Sequence, residues 1–436
     1  MKRVISSILC GIMVTGLLAG CGNSAGTTKS TQTGSQKESS TKSESASATE
    51  SKAGTTTSGK MQTVTIWHDG DESIMNTIET QVNTDLKAKN VEVKFEKKSG
   101  LTDQLKLYGN DEANGPDMYF YAHDSLGSFA EMNILAPVTD FISTKDETDM
   151  IPMTTEACTY KEKQYMLPVY YETLLFVYNK DLWQGDIPAS TDDLLSYMKA
   201  HTDEKAGTYA LVNQHSTAYN VAPVINGFGG YIIDKNANPG LNTKETKEAI
   251  TYNQKFAALE GAGDYDTCNT LFNGKKAQAI IGGPWLMSGI KQAGINYGIK
   301  SLADFKLPNG NALKPYSGVQ GVGVLKYAEK SKKEAITEVL KDLCNEKVGI
   351  ALAKESNCAP ANQKAYSNAD VSSNEMIMAM KETTKSAVPM PNIPQTSVMW
   401  TPAEALLAAV NKSGEDVNKA ADDYQKQAKQ AIADMQ

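Results

Sequence analysis

The sequence predicts an α/β protein with two lobes. Strand-like runs such as 63–67 and 91–95 alternate with segments of helical periodicity, and this alternation is typical of α/β folds with mostly parallel sheets. Residues 61–436 are more than a single layered core normally holds, so two lobes are expected. Ligands of open α/β sheets bind beyond the carboxyl ends of the strands, which predicts a ligand cleft between the lobes.

The individual elements follow from local periodicity and turn signals. The predicted strands are 63–67, 91–95, 117–121, 174–178, 209–212, 277–281 and 319–326. The predicted helices are 73–89, 191–202, 243–260, 331–343, 345–355, 374–384, 402–412 and 415–434.

The first sixty residues predict an export signal followed by a tether. Lys2 and Arg3 precede a short apolar run, which is typical of a secretory signal peptide over 1–20 and is too short for a comfortable membrane span. The run ends in Leu-Ala-Gly-Cys, which resembles a bacterial lipobox and implies lipidation of Cys21. The alternative is an ordinary secreted protein with a cysteine near its cleavage site. A lipid on Cys21 predicts anchoring at the outer face of the cytoplasmic membrane, as in Gram-positive bacteria.

The segment that follows Cys21 has the composition of a disordered chain. Residues 22–60 hold ten Ser and nine Thr and no Leu, Ile, Val, Met or aromatic residue, so they cannot bury a core. We therefore expect 21–60 to be a lipidated cysteine and a flexible tether.

Charge and cysteine content exclude several classes of protein. The chain has a net charge of −8, and residues 61–436 alone carry −12, which disfavours nucleic-acid binding. Four histidines and six cysteines without metal-binding spacing argue against a zinc site, and we expect no metal and no cofactor. Cys344 and Cys358 flank a predicted helix; a disulfide between them is possible, but buried thiols are the simpler expectation.

Sequence motifs for common catalytic sites are absent. We find no Gly-x-Ser-x-Gly, no phosphate-binding Gly-x₄-Gly-Lys-Ser/Thr and no His-Glu-x-x-His. The glycine-rich run 318–323 lies inside an apolar strand-like segment and predicts a turn entering a strand. We therefore expect no catalytic residues, although a glycosidase carboxylate pair could be hidden among the many acids.

Aromatic residues recur beside polar residues at the predicted ends of strands. The five segments are 67–72 (WHDGDE), 119–124 (YFYAHD), 168–172 (PVYYE), 282–285 (GGPW) and 390–400, which begins MPNIPQ and ends in Trp400. A sugar ring has an apolar face that stacks on aromatic rings and a rim of hydroxyls that carboxylates and amides can bind. The competing interpretation is that these rings are core residues and the acids are helix caps or solvated.

The same segments resemble the maltose/maltodextrin-binding proteins, the extracytoplasmic receptors of ATP-binding-cassette (ABC) importers. The resemblance covers nearly all of 61–436, and its most specific stretches are 115–124, 177–182 (VYNKDL), 283–285 (GPW) and 390–400. It implies the class II fold of periplasmic binding proteins, with a hinge of three crossovers near 171–174, 314–320 and 371–375. One lobe is then 61–170 with 321–371, and the other is 175–313 with 375–436.

The resemblance also implies a ligand site and a role. Its aromatic platforms would be Tyr121, Tyr219, Tyr265, Trp285 and Trp400, and its polar groups would be Asp71, Glu72, Asp124, Glu172 and the backbone of Ala122. Met390 would line the cleft, Tyr171 is added as a neighbouring ring, and Glu96 is a weaker candidate. The chain is then expected to be a monomeric receptor that captures malto-oligosaccharides and delivers them to an ABC permease.

Several positions depart from that family's pattern. Glu72, Ser125 and Glu404 stand where the family has cations, and Thr217 stands where it has a glutamate. Because hydrogen bonds to charged groups are worth about 1.5–3 kcal/mol, we hypothesise weak disaccharide binding and a preference for longer or cyclic glucans. Two alternatives are a different sugar or solute on the same fold and a lipid-anchored glycoside hydrolase.

Overall fold

A computed structural model describes residues 60–143, 145–259 and 263–435. The expected signal peptide, Cys21 and all of the tether except Lys60 lie outside these residues. The strands are β1 (Gln62–His68), β2 (Val91–Lys97), β3 (Met118–Ala122), β4 (Leu135–Ala136), β5 (Thr159–Tyr160), β6 (Lys163–Gln164), β7 (Met166–Thr173), β8 (Leu175–Asn179), β9 (Tyr209–Val212), β10 (Ala277–Gly282), β11 (Tyr297–Ser301), β12 (Tyr316–Leu325), β13 (Ala359–Pro360) and β14 (Val388–Pro389).

Helices fill most of the chain between these strands. They are α1 (Glu72–Leu86), α2 (Leu101–Tyr108), α3 (Leu126–Glu131), α4 (Pro152–Ala157), α5 (Thr191–His201), α6 (Ala218–Phe228), α7 (Lys244–Ala257), α8 (Tyr265–Asn273), α9 (Met287–Gln292), α10 (Ala328–Ser331), α11 (Lys333–Leu343), α12 (Glu346–Ser356), α13 (Ala369–Ser372), α14 (Glu375–Thr383), α15 (Thr396–Ser413) and α16 (Val417–Ala433). Among the described residues, no helix combines the length and the apolar character that a membrane crossing requires.

Two main sheets organise the fold. The large sheet has the strand order β13-β7-β12-β3-β1-β2, with β4 and β14 also paired to β12. The small sheet has the order β11-β8-β10-β9. Strands β7 and β8 belong to different sheets and are separated by Leu174 alone, so the chain crosses between the sheets at this residue.

The expectation of mostly parallel sheets is wrong. Strand β1 runs parallel to β2 and β3, but β12 runs antiparallel to β3, β4 and β7. In the small sheet β8 is antiparallel to both β10 and β11. The reason is topological: β12 and β8 adjoin crossings between the sheets, and strands that enter a sheet in this way need not follow the right-handed βαβ rule that makes strands parallel.

Helix α1 shows how the sequence pattern sets local structure. The Asp71 side chain accepts a hydrogen bond from the Ser73 amide and so caps the first turn. A single stripe of α1 is buried against the large sheet, formed by Met75, Ile78, Val82 and Leu86. The predicted helix 73–89 is therefore confirmed, although its last turn, Lys87–Lys89, is a 3₁₀ turn.

Helix α15 begins earlier than the sequence predicts. The prediction placed it at 402–412 because a proline usually begins or interrupts a helix, whereas the helix begins at Thr396 and carries Pro402 in its interior. Pro402 is buried within this helix. The consequence for function is that Trp400 lies on a helix rather than on a loop.

The glycine-rich run and the cysteines have structural roles. Gly321 and Gly323 lie within β12. A Cβ at Gly321 would lie 2.3 Å from the Leu167 backbone, and a Cβ at Gly323 would lie 2.3 Å from the Tyr119 ring. These glycines therefore allow close strand packing. The whole run 318–323 lies inside β12, so the expected turn at this position is wrong. Cys344 and Cys358 are both buried and are not joined by a disulfide bond.

Candidate functional site

Asp71 supplies a fixed carboxylate where β1 meets α1. Its Oδ1 accepts hydrogen bonds from the Ser73 amide at 2.7 Å and the Ser73 hydroxyl at 2.6 Å. These bonds lower the pKa of Asp71, so it is ionised at neutral pH and acts only as an acceptor. The side chain is exposed.

The end of β3 and the turn after it present Tyr121, Ala122 and Asp124, all of them partly accessible. Burial raises the pKa of Tyr121, whose hydroxyl interacts with the side chains of Thr102 and Asp69. Asp69 and Thr102 are not among the predicted site residues. Asp69 lies inside the WHDGDE segment and could have been found, whereas Thr102 carries no motif.

Buried His123 holds this turn in place through contacts of its two ring nitrogens. The Val319 amide donates to His123 Nδ1 at 3.0 Å, and His123 Nε2 lies 2.9 Å from the Met390 carbonyl oxygen. Burial lowers the pKa of His123, so the ring is neutral and Nε2–H is the donor to Met390. His123 thereby links the predicted site residues Asp124 and Met390, which are far apart in sequence.

Two predicted site residues that are adjacent in sequence, Tyr171 and Glu172, lie on opposite faces of β7. Glu172 and Tyr170 lie on one face of the strand, and Tyr171 lies on the other because side chains alternate along a strand. Tyr171 is 0% exposed, and its hydroxyl is 2.9 Å from that of Tyr366. The structure therefore places Tyr171 in the core and not on the cleft surface, which corrects its expected position beside Glu172.

Four aromatic rings form a continuous row. Ring centroids are 6.4 Å apart between Trp285 and Tyr219, between Tyr219 and Tyr316, and between Tyr316 and Trp400. Tyr316, buried at the start of β12, was not predicted, because it resembles any core residue of an apolar strand. We call Trp285, Tyr219, Tyr316 and Trp400 the ring row.

The backbone around Trp285 shows why its ring is available. Trp285 follows β10 and is 40% exposed. At Gly283 a Cβ would lie 2.2 Å from the Trp285 ring, so only glycine lets the indole lie over the chain at this point. The predicted Gly-Pro-Trp segment therefore holds the Trp285 ring in an exposed position.

Carboxylates face this ring row from the large sheet. Burial raises the pKa of Tyr219, and the negative charges of Glu172 and Asp124 raise it further. Burial also raises the pKa of Glu172, against the opposing effect of a hydrogen bond from Gln320. Glu172 and Asp124 of the large sheet are therefore close enough to Tyr219 on α6 to interact with it electrostatically.

The remaining predicted residues lie on α8, α1 and β2. Tyr265 is the first residue of α8 and is 45% exposed. Glu72 is exposed and lies 4.0 Å from the Lys97 ammonium, while Glu96 pairs with Lys94 and Lys98 at 3.2 Å each. In the described part of the chain, no group of three or more metal-ligating side chains could hold a metal ion.

Comparison with known proteins decides the family. Residues 81–380 match the family described as bacterial extracellular solute-binding protein. The chain belongs to this family. Its members bind solutes and are not enzymes, which confirms the expectation of a non-enzyme and excludes the glycoside hydrolase alternative.

Several named relatives resemble this solute-binding protein over most of its length. A maltotriose-binding protein of Pyrococcus abyssi is 28% identical, covering 77% of this chain and 75% of the relative. A galactooligosaccharide-binding protein of Bacillus subtilis is 29% identical, covering 85% and 89%. A maltooligosaccharide ABC transporter solute-binding lipoprotein of Streptococcus pneumoniae is 29% identical, covering 74% and 78%.

Solved structures support the two-lobed fold. A cyclo/maltodextrin-binding protein in complex with maltotetraose superposes with a TM-score of 0.79 at 24% identity. The maltose-binding periplasmic protein MalE of Listeria monocytogenes, in complex with maltose, gives 0.74 at 27% identity. Each match covers 86% of this chain and 98% of the other, so the predicted fold class is confirmed.

Proposed function

We propose that this solute-binding protein captures malto-oligosaccharides in the cleft and delivers them to an ABC permease. The observation that carries the proposal is the ring row facing the carboxylates of Asp124 and Glu172. Aromatic faces bind the apolar faces of pyranose rings, and the acids accept hydrogen bonds from the hydroxyl rim. The names of the Pyrococcus and Streptococcus relatives support the same class of ligand.

The proposed ligand contacts are the accessible residues of the predicted set. They are Asp71, Glu72, Tyr121, Ala122, Asp124, Glu172, Tyr219, Tyr265, Trp285, Met390 and Trp400. Tyr171 is left out because it is buried and bonded to Tyr366. Longer chains are favoured over maltose, since Glu72, Ser125 and Glu404 supply no cationic donor and stacking then provides more of the affinity.

Capture is proposed to couple to closure of the lobes. The chain changes sheet at Leu174 between β7 and β8, near the first expected crossing. Side-chain hydrogen bonds join β7 to β12 there, from Thr173 to the Tyr316 carbonyl at 2.8 Å and from Ser317 to the Glu172 carbonyl at 3.1 Å. Lobes of 61–170 with 321–371 and 175–313 with 375–436 would rotate about this region, and a ligand touching both would favour the closed form.

Attachment to the membrane is also proposed. The Leu-Ala-Gly-Cys segment at Cys21 and the polar composition of 22–60 support a lipid anchor with a tether, and the Streptococcus relative is named a lipoprotein. Metabolic labelling with a fatty-acid analogue tests the anchor: full-length protein should incorporate label, and Cys21→Ala should not.

A thermal-shift panel of saccharides tests the ligand class. A ligand that binds only the native state raises the melting temperature according to its concentration relative to Kd. We expect stabilisation by maltotriose through maltoheptaose and less by maltose. Stabilisation by galacto-oligosaccharides alone would replace the proposal with the second candidate, which the long match to the Bacillus galactooligosaccharide-binding protein favours.

A further inference from the structure

The Glu172 carboxylate has no cationic partner among the described residues. It is partly buried at the end of β7, and the Gln320 side chain on β12 hydrogen-bonds to it. Gly318 pairs with Glu172 across these strands and places no side chain beside the carboxylate. Among the described residues no lysine forms an ion pair with Glu172, whereas the predicted site acids Glu72 and Glu96 each pair with lysines.

The groups that face Glu172 are acidic or neutral. Asp71 at the start of α1 shares two neighbours with Glu172, because, beyond the effect of burial, both acids raise the pKa of Tyr170 and of Cys358. Asp124 in the turn after β3 shares one, because it and Glu172 both raise the pKa of Tyr219. These shared neighbours lie on β7 (Tyr170), on α6 (Tyr219) and before β13 (Cys358). None of these groups supplies a positive charge at neutral pH.

The chain has few cations to offer at this position. Arg3 is the only arginine in the sequence, and His123 beside Asp124 is neutral because burial lowers its pKa, so a permanent cation near Glu172 would have to be a lysine. Lys97 lies 4.0 Å from Glu72, and Lys98 pairs with Glu96 at 3.2 Å and stands over the Trp67 ring at 4.5 Å. Both lysines are engaged with other acids at the end of β2.

We propose that Glu172 takes up one proton from solvent when a sugar is captured, and that the resulting carboxylic acid donates a hydrogen bond to a sugar hydroxyl. The inference rests on the proposed function. A sugar lying over Glu172 removes its remaining water, and a desolvated carboxylate without a cation is costly. The neutral acid avoids this cost and supplies one donor, which replaces a cationic donor.

Uptake of this proton makes the affinity for the sugar depend on pH, with tighter binding at lower pH. Burial already raises the pKa of Glu172 in the free protein, and the bound sugar would raise it further because it excludes water. Affinity should then be highest at pH values below the free pKa. It should fall by up to about tenfold per pH unit between the free and bound pKa values and level off above them.

Calorimetric titration of the full folded chain with maltotetraose measures the proton directly. At a fixed pH near 6 the binding enthalpy should differ between phosphate and a buffer of high ionisation enthalpy, because the captured proton is released by the buffer. Glu172→Gln, which keeps an uncharged donor at this position, should bind with the same enthalpy in both buffers and lose the pH dependence. Asp124→Asn is the matched control: it removes a charge from the same cleft, so affinity should fall while proton uptake persists.

The possible results separate the two proposals. Tight binding with the same enthalpy in both buffers and the same Kd from about pH 5.5 to 8 would overturn the proton inference and leave the proposed function standing. Proton uptake that survives in Glu172→Gln would also overturn the inference. Absence of binding to any malto-oligosaccharide at any pH, in protein shown to be folded, would overturn both.

Discussion

The acids of the candidate site follow strands of the large sheet, whereas three rings of the ring row follow strands of the small sheet or lie on α15, and only the fourth, Tyr316, begins a strand of the large sheet. Asp71 and Asp124 occupy the turns after β1 and β3, and Glu172 ends β7. Trp285 follows β10, Tyr219 lies on α6 and Trp400 lies on α15. One side can therefore select hydroxyl patterns, while the other supplies contact area that is largely insensitive to them.

This contrast suggests how affinity and specificity are divided. Stacking depends on area and tolerates small differences between sugars, whereas an unsatisfied buried acid penalises the wrong hydroxyl pattern. With few cations near the acids, the ring side should carry more of the affinity. The following substitutions test this division, beginning with the largest expected effect.

Trp400→Ala and Trp285→Ala should each weaken maltotetraose binding by about 30-fold, corresponding to about 2 kcal/mol for the loss of a central aromatic contact. Calorimetric titration measures the change. Trp183→Phe is the matched control: Trp183 is buried and stacks on Tyr197 at 4.0 Å, outside the ring row. It should lower thermal stability without altering Kd. Unchanged affinity in both ring-row variants would show that the rings do not carry binding.

Asp124→Asn should weaken binding by about tenfold, since a hydrogen bond to a charged acceptor is worth about 1.5 kcal/mol or more. The loss of affinity should be greatest for sugars whose hydroxyls match the site. The Kd values for malto- and galacto-oligosaccharides should therefore become more similar. Asp103→Asn, an exposed acid on α2 paired with Lys106, serves as the control and should have no effect. A loss as large as that of Trp400→Ala would contradict the proposed division.

Glu72→Lys should improve maltose binding by roughly fivefold while changing maltotetraose binding less, because a charge-assisted donor matters more when little stacking area is available. The Glu72–Lys97 pair that it removes is exposed, and such pairs contribute at most about 1 kcal/mol. The measurement is the ratio of maltose to maltotetraose Kd. A ratio that stays the same would mean that the missing cation does not set chain-length preference.

The sequence predicts the fold better than it predicts which side chains reach the cleft. Periodicity located β9 at its observed bounds and placed α11 and α12 within two residues. It did not reveal that β12 turns antiparallel, because strand direction depends on crossings between sheets. Tyr316 and Gln320 were missed because they lie in an apolar strand, where local pattern does not distinguish core residues from those that border a cleft.

Tyr171→Phe should have the smallest effect and should test the buried face of β7. The Tyr171 hydroxyl bonds to Tyr366, whose own hydroxyl donates to the Pro360 carbonyl at 3.0 Å. Removing the first hydroxyl should cost about 1 kcal/mol of unfolding free energy, typical of one buried hydrogen bond. Denaturant unfolding measures this change, and Kd for maltotetraose should stay the same. Tyr170→Phe is the paired control, since Tyr170 lies on the face shared with Glu172. Weaker sugar binding by Tyr171→Phe with unchanged stability would show that this side chain contacts the ligand. A side chain that only packs in the core can alter stability but does not contact the sugar.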